Sequence, residues 1–316
     1  MNPAYSVILF TTASGAGYGL LVWLAIGVVT GGISPFDMLG LGGLVLALAL
    51  ITVGLLTSTA HLGRPERAWR AMSQWQTSWL SREAVLALAT YIPAGLWLLL
   101  AISGVTGAWL LIAVLATATA AGAIVTVWST GMIYQSLPTI RAWSLPLVAP
   151  IYLLLGLASG AALMTLLIKF YAGGGHRTAF IAAVLLLACA VVKWIYWRRI
   201  DTMPRTWTAG SATGLGSLGA VHPLELPHTQ ANFVMREMGY TVARRHADKL
   251  RMLTLAVGLV APAILLLLAG MGAGIITTLL AIVAVAGVGF GVLTERWLFF
   301  AEAQHVVSLY YGAERA

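Results

Sequence analysis

GAWLLIAVLATATAAGAIVTVWSTGM, residues 107–132, decides the fold class. None of its side chains is charged, and a helix of about 20 apolar residues already crosses the hydrocarbon core of a bilayer. Its apolar residues run on without the in–out alternation of a barrel strand, so a closed β-barrel is excluded. Seven more runs read the same way, at residues 7–31, 38–60, 83–103, 147–170, 178–197, 250–270 and 273–293. The expectation is an all-α, polytopic membrane protein of eight transmembrane helices. Residues 1–316 then form a single integral membrane domain.

Composition agrees. Of 316 residues, 60% are hydrophobic and 9% are charged, against roughly 25% charged in soluble domains. No soluble fold of this length could hide so much apolar surface. Residues 1–34 carry no charge, so the basic n-region of a signal peptide is missing and the run reads as a retained first helix. Gly15 with Gly19, Gly270 with Gly274, and Gly287 with Gly291 have the spacing of close helix contacts. Pro146, Pro150 and Pro262 are placed to start or bend helices.

Eight spans put both termini and the even-numbered connections on one face. Of the 18 lysines and arginines, all but Lys169 and Arg177 fall there. By the positive-inside rule that face, with the N- and C-termini, is cytoplasmic. The net charge of +8 therefore reflects membrane loops, and no nucleic-acid partner is expected.

Two polar stretches interrupt the apolar pattern. The first, HLGRPERAWRAMSQWQTSWLSRE at 61–83, reads as an interfacial amphipathic helix. Leu62, Trp69, Met72, Trp75 and Trp79 gather on one side of it; Glu66, Arg67, Arg70 and Gln74 take the other. His61 closes one span and Glu83 opens the next, so two ionisable groups flank the membrane boundary, where such groups mark ligand or proton paths. A quinone needs such a place: a tail in lipid, hydrogen bonds to its oxygens and a proton route to water. Histidine exchanges protons near neutral pH, and a carboxylate can relay them.

The second stretch, 198–250, is too long for a simple connector and reads as a cytoplasmic docking loop. GLGSLG at 214–219 has dinucleotide-loop spacing, but no strand precedes it, so a nucleotide site is rejected. His222, His228 and His246 fit no compact metal-ligand pattern. None of the six histidines falls at a span centre, which argues against haem, and Cys189 alone cannot hold an iron–sulfur cluster. The chain is thus expected to hold no metal. The tail ERWLFFAEAQHVVSLYYGAERA, from Glu295, continues the last helix or turns along the surface.

The opening NPAYSVILFTTASGAGYGL, the segment HLGRPERAWRAMSQWQTSWLSRE and the ending ERWLFFAEAQHVVSLYY together resemble the membrane anchor subunits of the dimethyl sulfoxide reductase family. The long loop and tail are most similar to the anchors of cytoplasmic sulfite dehydrogenases. The resemblance implies a three-subunit oxidoreductase in which the anchor exchanges electrons with ubiquinone or menaquinone. An iron–sulfur subunit and a molybdopterin catalytic subunit would dock on the cytoplasmic face, so this chain would not itself turn over the sulfur substrate. The quinone-site positions that the resemblance implies fall on His61, Gly63, Arg67 and Glu83. Sulfite oxidation is the favoured direction and dimethyl sulfoxide reduction the alternative. Two rivals stand beside these: a purely structural anchor, and a secondary transporter, which should carry ionisable groups or broken helices near mid-membrane.

Overall fold

The computed structural model describes residues 3–59, 62–204, 207–222, 224–225, 230 and 242–311, with side chains from 246 onward in the last stretch. Eight helices in it are long and apolar enough to cross a membrane. They are α1 (Tyr5–Val29), α2 (Met38–Thr59), α3 (Trp79–Ser103), α4 (Trp109–Gln135), α5 (Val148–Ala172), α6 (His176–Thr202), α7 (His246–Gly270) and α8 (Ile275–Ala301). No strand occurs among the described residues. The protein is an all-α polytopic membrane protein.

Two corrections to the expected spans matter for function. Helix α3 begins at Trp79, so Glu83 lies inside the helix, one turn in, instead of at its mouth. Ser78 caps that earlier start, its hydroxyl accepting from the backbone N–H of Ser81. Helix α8 runs on to Ala301, which draws Glu295 and Arg296 into the bundle. At the other polar boundary, α6 extends to Thr202 and helix resumes at Val242, so both ends of the expected 198–250 loop are helical.

Helix α1 is the most deeply enclosed and packs on α2, α4 and α5. Helix α5 in turn carries α6 and α8, and α7 closes against both. The α1–α5 seam is made by glycines: a methyl at Gly19 would overlap the carbonyl of Gly156, and one at Gly160 would overlap Gly19. Without a hydrophobic driving force between helices in lipid, such close backbone approach supplies the dispersion contact that holds them. Of the expected glycine pairs, Gly19, Gly270, Gly287 and Gly291 are contacts, whereas a Cβ on Gly15 or Gly274 would meet open space. Gly291 rests on Gly258, which lies in a π-helical stretch of α7 (Thr254–Val260). Pro262 follows that stretch; lacking an N–H, it cannot bond the carbonyl of Gly258, and the widened turn absorbs the fault.

Helix α3 packs chiefly on α4 and touches α2 only lightly. The chain between α2 and α3 is therefore splayed, and a groove remains between two consecutive helices.

Candidate quinone-site cavity

The segment that enters this groove is not the regular amphipathic α-helix expected from its pattern. It is a 3₁₀ helix over Pro65–Met72, followed by turns that lead into α3. Pro65 fits the first position, where its missing N–H is no loss. With three residues per turn, positions i and i+3 eclipse, so Ala68 lines up with Ala71, and Trp69 with Met72. Those four residues face one cavity. Trp75 and Trp79, expected on the same side, do not line it. The segment is tied back to α3: Ser81 donates from its hydroxyl to the carbonyl of Ala71, and Arg82 donates to the carbonyls of Trp75 (3.0 Å) and Gln76 (2.6 Å).

The cavity has a volume of about 540 Å³, within the range of small-molecule sites. Its walls come from α1 (Val7, Phe10), the end of α2, Leu62 and the 3₁₀ helix, one face of α3 from Leu80 to Leu88, and Ile133 and Tyr134 of α4. Lining residues Trp69, Leu80 and Leu88 are more than half exposed (63%, 53% and 53%), an apolar rim on the outer surface of the bundle. Most wall groups are apolar; Ser58, Thr59 and Tyr134 add hydroxyls, and Glu83, which is 5% exposed, is the only carboxylate among the lining residues.

Glu83 is held from α4. The hydroxyl of Thr130 donates to its Oε1, and the same hydroxyl lies 3.1 Å from the carbonyl of Thr126. Thr130 therefore has an acceptor on either side: it can donate to a Glu83 carboxylate, or turn to Thr126 and accept from a protonated Glu83. A buried carboxyl with such a partner can exist in both protonation states without leaving an orphaned group.

The other expected site residues are placed as follows. His61 lies outside the described residues, although its chain neighbours on the far side of Ala60 and immediately after it, Thr59 and Leu62, both line the cavity. Gly63 is exposed, with open space where a Cβ would stand. Arg67 is half exposed, and its Nε lies 4.0 Å from Glu66. Neither Gly63 nor Arg67 lines the cavity, and the partner of Glu83 is Thr130. His228 of the long loop also lies outside the described residues.

A second charged group went unread in the sequence. Lys193, Glu295 and Arg296 were assigned to the basic surface, yet all three are at most 2% exposed, inside the bundle. Lys193 Nζ lies 2.6 Å from Glu295 Oε1, and Arg296 lies 3.4 Å from Oε2. Aromatic rings replace the water these ions lose: Arg296 stands 3.4 Å over Tyr152, and Lys193 stands 4.1 Å and 4.6 Å over Tyr196 and Trp197. Nearer the surface, Arg251 joins α7 to Asp201 (2.8 Å) and Glu302 (2.9 Å) across a polar cavity of about 380 Å³. Burial pushes the Glu302 carboxyl above its ordinary range, and Arg251 opposes that. Adjacent opposite charges, Glu295–Arg296, were the available sequence signal; their spacing from Lys193 was not.

The comparisons with known proteins accord with this architecture. Residues 1–212 match the family model described as DMSO reductase anchor subunit (DmsC). The chain is 33% identical to the C subunit of the sulfite dehydrogenase of Allochromatium vinosum, over 98% of this chain and 99% of that protein. It is also 29% identical to the anaerobic dimethyl sulfoxide reductase chain YnfH of Escherichia coli K12, over 45% of this chain and 50% of that one. The family match spans well over half of the sequence, and one relative aligns end to end. This chain belongs to the DMSO reductase anchor subunit family.

Proposed function

We propose that this anchor subunit passes electrons between an iron–sulfur partner and a quinone, ubiquinone or menaquinone, that enters the cavity between α2 and α3 from the lipid. The observation that carries the reading is a single buried carboxylate, Glu83, on the wall of a mostly apolar cavity of about 540 Å³ with an exposed apolar rim. An apolar site with one or two placed polar groups is what a hydrophobic carrier with a polar ring requires. The bound quinone would supply the redox chemistry, taking up electrons and protons together.

The chain's own part is binding and proton handling. The walls exclude water from the ring, Glu83 gives or takes a proton at a ring oxygen, and Thr130 holds that carboxyl in place. His61, between cavity-lining neighbours in the sequence, serves as the second proton-exchanging group. Arg67 and Gly63 stand outside the cavity wall and are given no contact with the ring.

The concentration of cations on one face supports docking of an iron–sulfur subunit and a molybdopterin catalytic subunit there, on the cytoplasmic side of a bacterial inner membrane. End-to-end similarity to a sulfite dehydrogenase subunit supports sulfite oxidation, with electrons flowing toward quinone. The shorter similarity to a dimethyl sulfoxide reductase chain supports the reverse flow as the second reading.

The test is quinone-linked electron transfer in the assembled complex carrying Glu83→Gln or His61→Ala. Each is expected to slow transfer by about 10²-fold or more, the usual contribution of a positioned acid or base. Transfer at the original rate in both variants, with the complex intact, would overturn the site.

A further inference from the structure

Between the larger cavity and the buried ions lies a small void, of about 10 Å³, where α1, α4, α5 and α8 meet. It is lined by Thr130, Tyr152 and Arg296, and by hydroxyls of α1 that include Thr12. Its size is that of roughly one water molecule. The Thr12 hydroxyl and Arg296 Nε are buried without hydrogen-bond partners among the described residues, while Arg296 Nη1 has only its 3.4 Å approach to Glu295 Oε2 and the Tyr152 hydroxyl only the Arg296 guanidinium beside it. Tyr152 and Arg296 are 4% and 2% exposed. Groups of this kind left unpaired are costly, and a water is the smallest ligand that can answer several of them at once.

We infer that this void is a binding site for one water, which joins Glu83 to Arg296. The direction of donation is consistent along the whole chain. An Arg296 N–H donates to the water, the water donates to Thr130, and the Thr130 hydroxyl donates to Glu83 Oε1. Every link thus favours the Glu83 carboxylate that remains once its proton has been handed to a ring oxygen. The ion cluster, two cations and one anion, carries one spare positive charge toward it. The other titratable side chains near enough to feel the charge of Glu83 are tyrosines: Tyr18 of α1, Tyr134 of α4 and Tyr152 of α5. Thr130 and Arg296 are therefore positioning residues. This role rests on the quinone reading of the larger cavity, although the water site does not.

Two measurements on the assembled complex test it. The first is an experimental density map fine enough to show ordered water. A peak within hydrogen-bond distance of Thr130, Tyr152 and Arg296 is expected, and a void filled by protein or without a peak overturns the site. The second is the infrared carboxyl band of Glu83, assigned by its loss in Glu83→Gln and read at one fixed pH without turnover. Loss of a hydrogen bond to a charged group should lower the ionised-to-protonated ratio about tenfold in Thr130→Val. Tyr152→Phe should lower it by a smaller factor, and Thr130→Ser should restore it. An unchanged band in both Thr130→Val and Tyr152→Phe overturns the chain, and slow transfer in Glu83→Gln would then leave the larger cavity's reading standing. Normal transfer in Glu83→Gln overturns that reading and the role given to the chain, whatever the map shows.

Discussion

Two regions of this bundle hold buried charge in opposite ways. Around Glu83 there is one carboxylate, one hydroxyl partner and about 540 Å³ of room. Around Glu295 there are two cations and a closed wall of rings, with Tyr134 stacked on Tyr152 and Trp143 stacked on Phe299. The first arrangement leaves a charge whose state can change and a space in which something can meet it. The second neutralises its anion twice and leaves room for no more than a water at its edge. A buried ionisable group is thus a candidate for chemistry when it has space beside it, and a candidate for architecture when its space is filled.

The largest effect should come from breaking the filled region. Glu295→Ala leaves Lys193 and Arg296 buried without their anion, and about 3–5 kcal/mol of stability should be lost. Thermal or detergent unfolding of the complex reads this directly. Lys193→Met should cost clearly less, because Arg296 still answers Glu295. Equal losses would show that the cluster is not a mutual neutralisation. Glu83→Gln, by contrast, should leave the unfolding temperature unmoved while slowing electron transfer.

A middle effect sharpens the open region. Ala84 lines the cavity from α3, and Ala84→Phe would fill it. Overpacking typically costs about 1–3 kcal/mol, which here should fall on the ligand, weakening quinone affinity by roughly 5- to 150-fold. Binding titration of a quinone analogue against the variant complex checks it. Undiminished affinity would place the carrier elsewhere.

The smallest effect concerns the tail beyond α8. His305 accepts the Val307 N–H at its Nδ1, 3.0 Å away, a bond that only the neutral ring can accept. Burial holds this imidazole below its usual value. Its stabilising contribution is therefore complete above about pH 6.5, the unfolded value, and is lost as pH falls through the lower folded value. Protection of residues 304–311 from hydrogen exchange, taken relative to the intrinsic amide rate at each pH, should fall on acidification in the original protein. In His305→Ala that protection should show little pH response.

Much of the fold was legible in the chain because the bilayer imposes a one-dimensional test. The run at 107–132 needed only length and apolarity to be read as a helix, and the other seven followed. The glycine spacings at Gly19 and Gly291 were legible as contacts, but not the partners Gly156 and Gly258, which belong to other helices. The 61–83 pattern was read as an α-helix because apolar periodicity cannot separate an interfacial α-helix from a tighter 3₁₀ run over eight residues.

The amino-acid order by itself determined the eight spans, the basic face and the presence of a polar segment between α2 and α3. Those are properties of consecutive residues meeting lipid or water. Only the tertiary structure decided that Thr130 answers Glu83, that Lys193 and Arg296 turn inward, and that space remains beside one acid and not the other. Such outcomes depend on which helix faces meet across the bundle, and a local sequence window carries no record of the neighbour that will fill, or fail to fill, the room beside a side chain.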